Sequence, residues 1–187
     1  MRLAVLASGS GTILNAMAQA RLPLSLVVVD RPCGAQEVAA GHGLDCELVE
    51  RTSFGPDFDR TDYTRRLTRR LTEAGVDVVA MAGFGTVLEQ PIHDVFGGRI
   101  LNTHPSLLPA FPGWHAVADA LAYGVKVTGC TVHVATLEVD AGPILAQEAV
   151  TVRPDDTEDS LHERIKAVER TLYVETLQEI VDRGHVA

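Results

Sequence analysis

The sequence predicts an α/β fold: an open, mostly parallel twisted sheet with helices on both faces and antiparallel strands at one edge. Three observations lead there. Through the first half of the chain, short continuous apolar runs alternate with longer helical patterns, which is how strands covered on both faces read. A glycine turn joins the first such run to the first helical pattern. After residue 124 the apolar residues begin to alternate, as they do in antiparallel strands with one face exposed. A chain of 187 residues is long enough for one sizeable core, and a single domain over 1–187 is expected.

The elements follow in order. "RLAVLA" at 2–7 is a strand and "TILNAMAQA" at 12–20 a helix. "LSLVVVD" at 24–30, with three consecutive valines, is a second strand, followed by a helix over 34–42. "DCELVE" at 45–50 is a weaker strand. Over 59–75, Tyr63, Leu67 and Leu71 recur four apart in a helix closed by Gly75. "VDVVAMAGF" at 76–84 reads as the most buried strand, and a short helix over 88–96 leads to the strand "GRILNTH". A helix over 115–124 ends at a glycine. "KVTGCTVHVAT" at 126–136 and "PILAQEAVTV" at 143–152 are then two antiparallel strands around a turn at Asp140, Ala141 and Gly142. Residues 154–184 form one long amphipathic helix, with Thr157 or Asp156 as its N-cap.

Composition narrows the function. The formal net charge is −9, and the paired arginines at 65–66 and 69–70 lie on one helix, so a nucleic-acid groove is not expected. Three cysteines, Cys33, Cys46 and Cys130, form no CxxC pair and suggest neither a disulfide framework nor a zinc site. The start "MRLAVLASGSG" reads as a first strand rather than a secretory signal, and no apolar run approaches the ~20 residues of a membrane span. A cytoplasmic protein, without membrane or nucleic-acid partners, is expected.

Three stretches could carry chemistry. In "LASGSGTILNA", a glycine turn at a helix start points several N–H groups at one spot, where the helix dipole also attracts an anion. A phosphate is the natural guest, and a merely tight turn is the plainer reading. A dinucleotide is weakened because Leu14 stands where the fingerprint needs a third glycine, although Asp30 sits roughly where a ribose-binding acid would. The second stretch is "RILNTHPSLLPAFPGWH" at 99–115. Ligands of open α/β sheets bind beyond the strands' carboxyl ends, where Ser8, Gly9, Gly85, Asn102 and His104 should gather. An amide and an imidazolium there could stabilise an oxyanion and pass a proton to a leaving nitrogen. Pro105 holds residue 104 extended, and the prolines at 105, 109 and 112 limit its drift.

Taken alone, Asn102 could cap a turn and His104 could be a satisfied interior histidine. The third stretch, "LEVDAGP", adds Asp140, a carboxylate that would favour the charged form of His104 if its loop folds back to the sheet. His42, His93, His115, His133, His162 and His185 are scattered without metal-ligand spacing, so no metal is expected. Ser106 has no neighbouring base and reads as a hydroxyl bonding its own loop.

With "VLASGSGT", "AGF", "NTHPSLLPAFPG", "DAGPILAQ" and "LHERIKAVE" in view, the chain resembles the phosphoribosylglycinamide formyltransferase family of folate-dependent formyltransferases over nearly its whole length. The resemblance implies a Rossmann-like formyltransferase fold and transfer of a formyl group from 10-formyltetrahydrofolate, a cosubstrate, to the amine of glycinamide ribonucleotide, a step of purine biosynthesis. The family's catalytic Asn, His and Asp match Asn102, His104 and Asp140. Carried over by motif, the ribonucleotide would meet Gly11, Thr12, Ile13 and Glu169. The folate would meet Arg60, Gly85, Thr86, Val87, Leu88, Asn102 and the 136–140 loop. Ile13 stands where many members carry Asn, and Thr86 where they often carry Arg. Formyltetrahydrofolate hydrolysis, formyl transfer to a sugar amine or to methionyl-tRNA, and a non-catalytic nucleotide-binding module are the other readings. Small-molecule substrates and a monomer or homodimer are expected.

Overall fold

A computed structural model describes residues 1–53 and 55–186. The chain runs β1 (Leu3–Ala7), α1 (Thr12–Gln19), β2 (Leu24–Val29), α2 (Gly34–Gly41), β3 (Cys46–Leu48), α3 (Arg60–Glu73), β4 (Val78–Met81), α4 (Gln90–Phe96) and β5 (Ile100–His104). It continues through α5 (Ala116–Tyr123), β6 (Val127–Val134), β7 (Ile144–Thr151) and α6 (Glu158–Arg183). The strands form one sheet in the order β3-β2-β1-β4-β5-β6-β7. The pairings from β3 to β5 are parallel, whereas β5–β6 and β6–β7 are antiparallel.

The period of two explains why the central strands read as unbroken apolar runs. Leu3, Val5 and Ala7 of β1 pack on one face with Met17 of α1, Ala35 of α2 and Tyr173 of α6. Ala4 and Leu6 pack on the other with Leu67 of α3 and Phe96 of α4. A third cluster joins Val117 of α5, Cys130 and Val150 of the edge strands, and Leu161 and Ile165 of α6.

Strand order reverses between β1 and β4, because the chain first builds outward to β3 and then returns to add β4 on the other side. Such a switch point leaves a crevice beyond the carboxyl ends of the two strands. The long helix begins at Glu158, four residues inside the expected 154–184 span and directly after Thr157, one of its two expected N-caps. Thr157 is the N-cap, accepting from Ser160 N, while Asp156 accepts from Arg153 N and from both terminal nitrogens of Arg164. No helix among the described residues is long and apolar enough to cross a membrane.

Candidate active site

The switch-point crevice is a cavity of about 450 Å³. Its walls are the turn after β1, the segment after β4, the end of β5, the loop leading into α5, the β6–β7 turn and one face of α6.

The turn after β1 is shaped by backbone. Gly11 is the N-cap of α1 with φ 77°, the left-handed region that glycine enters without cost, and a Cβ there would lie 2.8 Å from Ala35 Cα. Ala35 N donates to Gly9 O at 3.0 Å, so the start of α2 clamps the turn. Glycine is thus required twice, by conformation and by the close approach of α2. The first-turn N–H groups of α1 have no partners within the helix, and Gly11, Thr12 and Ile13 line the cavity, an arrangement suited to an anion. Ile13 lines the cavity although it is largely buried in the core cluster beneath α1.

Gly85, Thr86, Val87 and Leu88 line the cavity after β4. Gly85 N donates to Ser8 Oγ at 3.0 Å, which ties this segment to β1. The Thr86 hydroxyl turns away from the cavity, donating to Asp30 Oδ2 at 3.0 Å and accepting from Arg51. Asp30 is fully buried and accepts from Arg31 Nε and Nη2, each at 3.0 Å. Burial pushes the Asp30 carboxyl up, but hydrogen bonds from Arg31, Ser8 and Thr86 outweigh it and hold the pKa below the ordinary value. The acid that resembled a ribose ligand is therefore committed to a structural network.

The opposite wall is shaped by side chains. Asn102 and His104 point to the same side of β5, two residues apart, and pair across the ladder with His133 and Thr131 of β6. Both lie within the strand rather than in a turn beyond it. Thr131 donates to Ser106 O at 2.7 Å and accepts from Leu108 N at 3.0 Å, so β6 holds the proline-rich loop. The Ser106 hydroxyl donates to Ala110 O within that loop.

His104 is 4% exposed and both its ring nitrogens face acceptors. Nε2 lies 2.8 Å from Phe111 O and Nδ1 lies 3.3 Å from Asp140 Oδ2. A carbonyl oxygen only accepts, so Nε2 carries a proton; a carboxylate is satisfied at Nδ1 only if that nitrogen carries one too. Two backbone features hold these two contacts in place. Phe111 sits at φ 51° with its ring edge-on to Tyr123 of α5, an uncommon conformation for a bulky residue that presents its carbonyl to His104. Asp140 sits at φ 58°, which Asp tolerates, and accepts from Gly113 N at 2.8 Å. The β6–β7 turn folds back onto the sheet because Gly142 leaves room: a Cβ there would lie 1.8 Å from Val134 O.

Several residues at the cavity escaped the sequence reading. His133 Nδ1–H donates to Val134 O, while Nε2 lies 3.4 Å from the Asn102 amide nitrogen and 3.6 Å from Asp140 Oδ1. Burial lowers the His133 pKa despite its bond to Val134 and the nearby Asp140, and the neutral ring leaves Nε2 able to accept from the Asn102 amide. His93, His162, Lys166 and the exposed Trp114 also line the cavity. Cross-strand register was needed to find His133, but α6 did carry a signal. Leu161, Ile165, Tyr173 and Leu177 form an apolar stripe, and Glu169 interrupts it four residues from Ile165 and from Tyr173. Burial pushes the Glu169 carboxyl up, partly offset by the hydrogen bond that Thr103 Oγ1–H donates to it.

Arg60 is not brought to the cavity. It opens α3, which packs on the other face of the sheet, and it is not among the described residues lining the site. Among the described residues, no cluster of three or more His, Cys, Asp or Glu side chains is arranged to hold a metal ion.

The profile of the formyl transferase family matches residues 1–177. The chain is 46% identical over 188 residues to phosphoribosylglycinamide formyltransferase of Mycobacterium tuberculosis, covering 98% of this chain and 86% of that protein. Two solved structures share the fold. Glycinamide ribonucleotide transformylase 1 from Symbiobacterium toebii matches with a TM-score of 0.87 and 43% identity, over 94% of this chain and 84% of that one. Phosphoribosylglycinamide formyltransferase from Bacillus halodurans matches with a TM-score of 0.89 and 36% identity, over 99% and 97%.

Proposed function

This chain belongs to the formyl transferase family, and on that premise we propose that it moves the formyl group of 10-formyltetrahydrofolate to the primary amine of glycinamide ribonucleotide. The observation that carries the reading is the convergence on one cavity of the His104–Asp140 pair, the Asn102 amide and the amide-lined turn at Gly11, Thr12 and Ile13.

The ribonucleotide phosphate would sit on that turn with Lys166 beside it, and Glu169 would face the glycinamide end. Folate would lie along Gly85, Thr86, Val87 and Leu88 and the 136–140 loop, held at its pterin end by backbone, since the Thr86 hydroxyl is occupied by Asp30. Arg60 is exposed outside the cavity and would meet only a glutamate tail that leaves it.

In the reaction, the amine attacks the formyl carbon and charge develops on the formyl oxygen. Asn102 Nδ2–H donates to that oxygen, steadied from behind by His133. His104 Nε2–H, directed at Phe111 O in this structure, is the second donor for which the formyl oxygen competes. As the tetrahedral intermediate collapses, the bond to folate N10 breaks, the amine loses a proton and N10 gains one. Asp140 orients His104 through Nδ1 and serves that proton transfer through water. No covalent enzyme intermediate is needed.

The test is direct. Folate absorbance is followed in a mixture of protein and 10-formyltetrahydrofolate, with and without glycinamide ribonucleotide. Turnover should require the ribonucleotide and yield one formylated product per folate released. Turnover at the same rate without it would replace this reading with a hydrolase.

A further inference from the structure

The cavity-facing side of α6 carries a group that neither the catalytic trio nor the amide-lined turn uses. His162, Lys166 and Glu169 all line the cavity, and their spacing of four and three places them on one helix face. Thr12 of α1 shares an outer groove with Ala167 and Arg170, so Lys166 stands next to the amide-lined turn. His162 lies about 6 Å farther along the axis, one turn towards the N-terminus of α6.

The charge balance of this corner is incomplete. A phosphate monoester carries about −1.5 to −2 at pH 7. The N-terminus of α1 offers about half a positive charge. Lys166 is already paired with Glu163 at 2.9 Å, Glu169 is itself an acid, and Arg170 opens onto the outer groove beside Thr12 and not onto the cavity wall. A dianion inside the cavity therefore gains from a further cation on the cavity wall itself.

We propose that His162 is a side-chain ligand of the ribonucleotide phosphate and takes up a proton as the phosphate binds. This rests on the ribonucleotide reading above. Its surroundings suit the role. Burial and Lys166 oppose a charge on His162, whereas Glu163, Glu158 and Asp159 favour one, and the balance holds its pKa below the ordinary value. The other titratable groups on the cavity wall are His93, His104, His133, Asp140 and Glu169. A phosphate dianion against the ring reverses the balance set by Lys166, and protonation then follows binding.

His162→Gln keeps a polar side chain of similar size and cannot be charged. For this variant KM for glycinamide ribonucleotide should rise about tenfold at pH 6.5, equivalent to about 1.4 kcal/mol, with kcat and KM for 10-formyltetrahydrofolate unchanged. Wild-type KM for the ribonucleotide should climb between pH 6 and 8, while that of His162→Gln stays flat. His162→Lys should restore affinity without the pH dependence. With the dephosphorylated ribonucleoside, wild type and His162→Gln should be equal. An equal loss on the ribonucleoside, or an unchanged KM and pH profile on the ribonucleotide, would overturn the assignment. Should the wild type fail to formylate the ribonucleotide, the functional reading fails first. Calorimetry with ribose 5-phosphate in two buffers then tests His162 alone: wild type should take up a proton that His162→Gln does not, and absence of that uptake refutes the proposal.

Discussion

Where β1 meets α1 the cavity wall is made of main chain, and where β5 meets β6 it is made of side chains. The turn of the first region needs glycine at position 11 and a helix start; Ile13, beside it, is buried in the core. The second needs an Asn, two His and an Asp whose hydrogen-bonding groups meet across a strand pair, a turn and a loop. A backbone-built subsite tolerates changes of side chain but not of conformation. A side-chain-built one tolerates neither the loss of a proton donor nor the loss of the residue orienting it.

The largest expected effect lies in the second region. Asp140→Asn keeps a residue that accepts positive φ and an oxygen for Gly113 N–H, but it removes the charge facing His104. Steady-state kcat should fall about 10²- to 10³-fold with the circular dichroism spectrum and melting curve preserved. Near-normal turnover would remove Asp140 from the mechanism.

The first region should break differently. Gly11→Ala forces a Cβ to within 2.8 Å of Ala35 Cα at a left-handed φ. KM for the ribonucleotide should rise at least tenfold, with Tm lowered by several degrees. Ile13→Val, one residue on, should cost about 1 kcal/mol of stability and leave that KM within twofold. The reverse pattern, with Ile13 governing affinity and Gly11 only stability, would mean that the subsite is built by side chains after all.

The smallest effect is one of pH. Burial raises the Glu169 pKa on folding, so the folded state holds that proton more tightly than the unfolded chain. The associated stability is present below the ordinary glutamate range and is lost as pH rises through the folded value. Glu169→Gln keeps an acceptor for Thr103 and has no charge to bury. Its Tm should match wild type near pH 4 and exceed it by about 1–3 °C at pH 7.5. Parallel Tm curves across that range would show that burial of this acid costs nothing.

Much of the fold was legible because its causes are local. Continuous apolar runs, four-residue spacings and glycine stops identified strands and helices to within a few residues. The late change to alternation located the antiparallel edge. Where boundaries moved, short-range hydrogen bonding decided. Residues 154–157 precede α6 because Asp156 turns back to Arg153 N instead of entering the helix.

The amino-acid order by itself determined the covered sheet, the glycine turn, the proline-stiffened exit of β5 and the residue types that could act there. Tertiary structure decided which of them meet. It sent Asp30 and the Thr86 hydroxyl into a buried network, left Arg60 outside the cavity, placed His133 behind Asn102, and directed His104 at both Phe111 O and Asp140. The physical reason is that a side chain's partners depend on strand order, cross-strand register and the close approaches allowed at Gly11 and Gly142. Those relations join residues tens of positions apart and have no local trace in the chain.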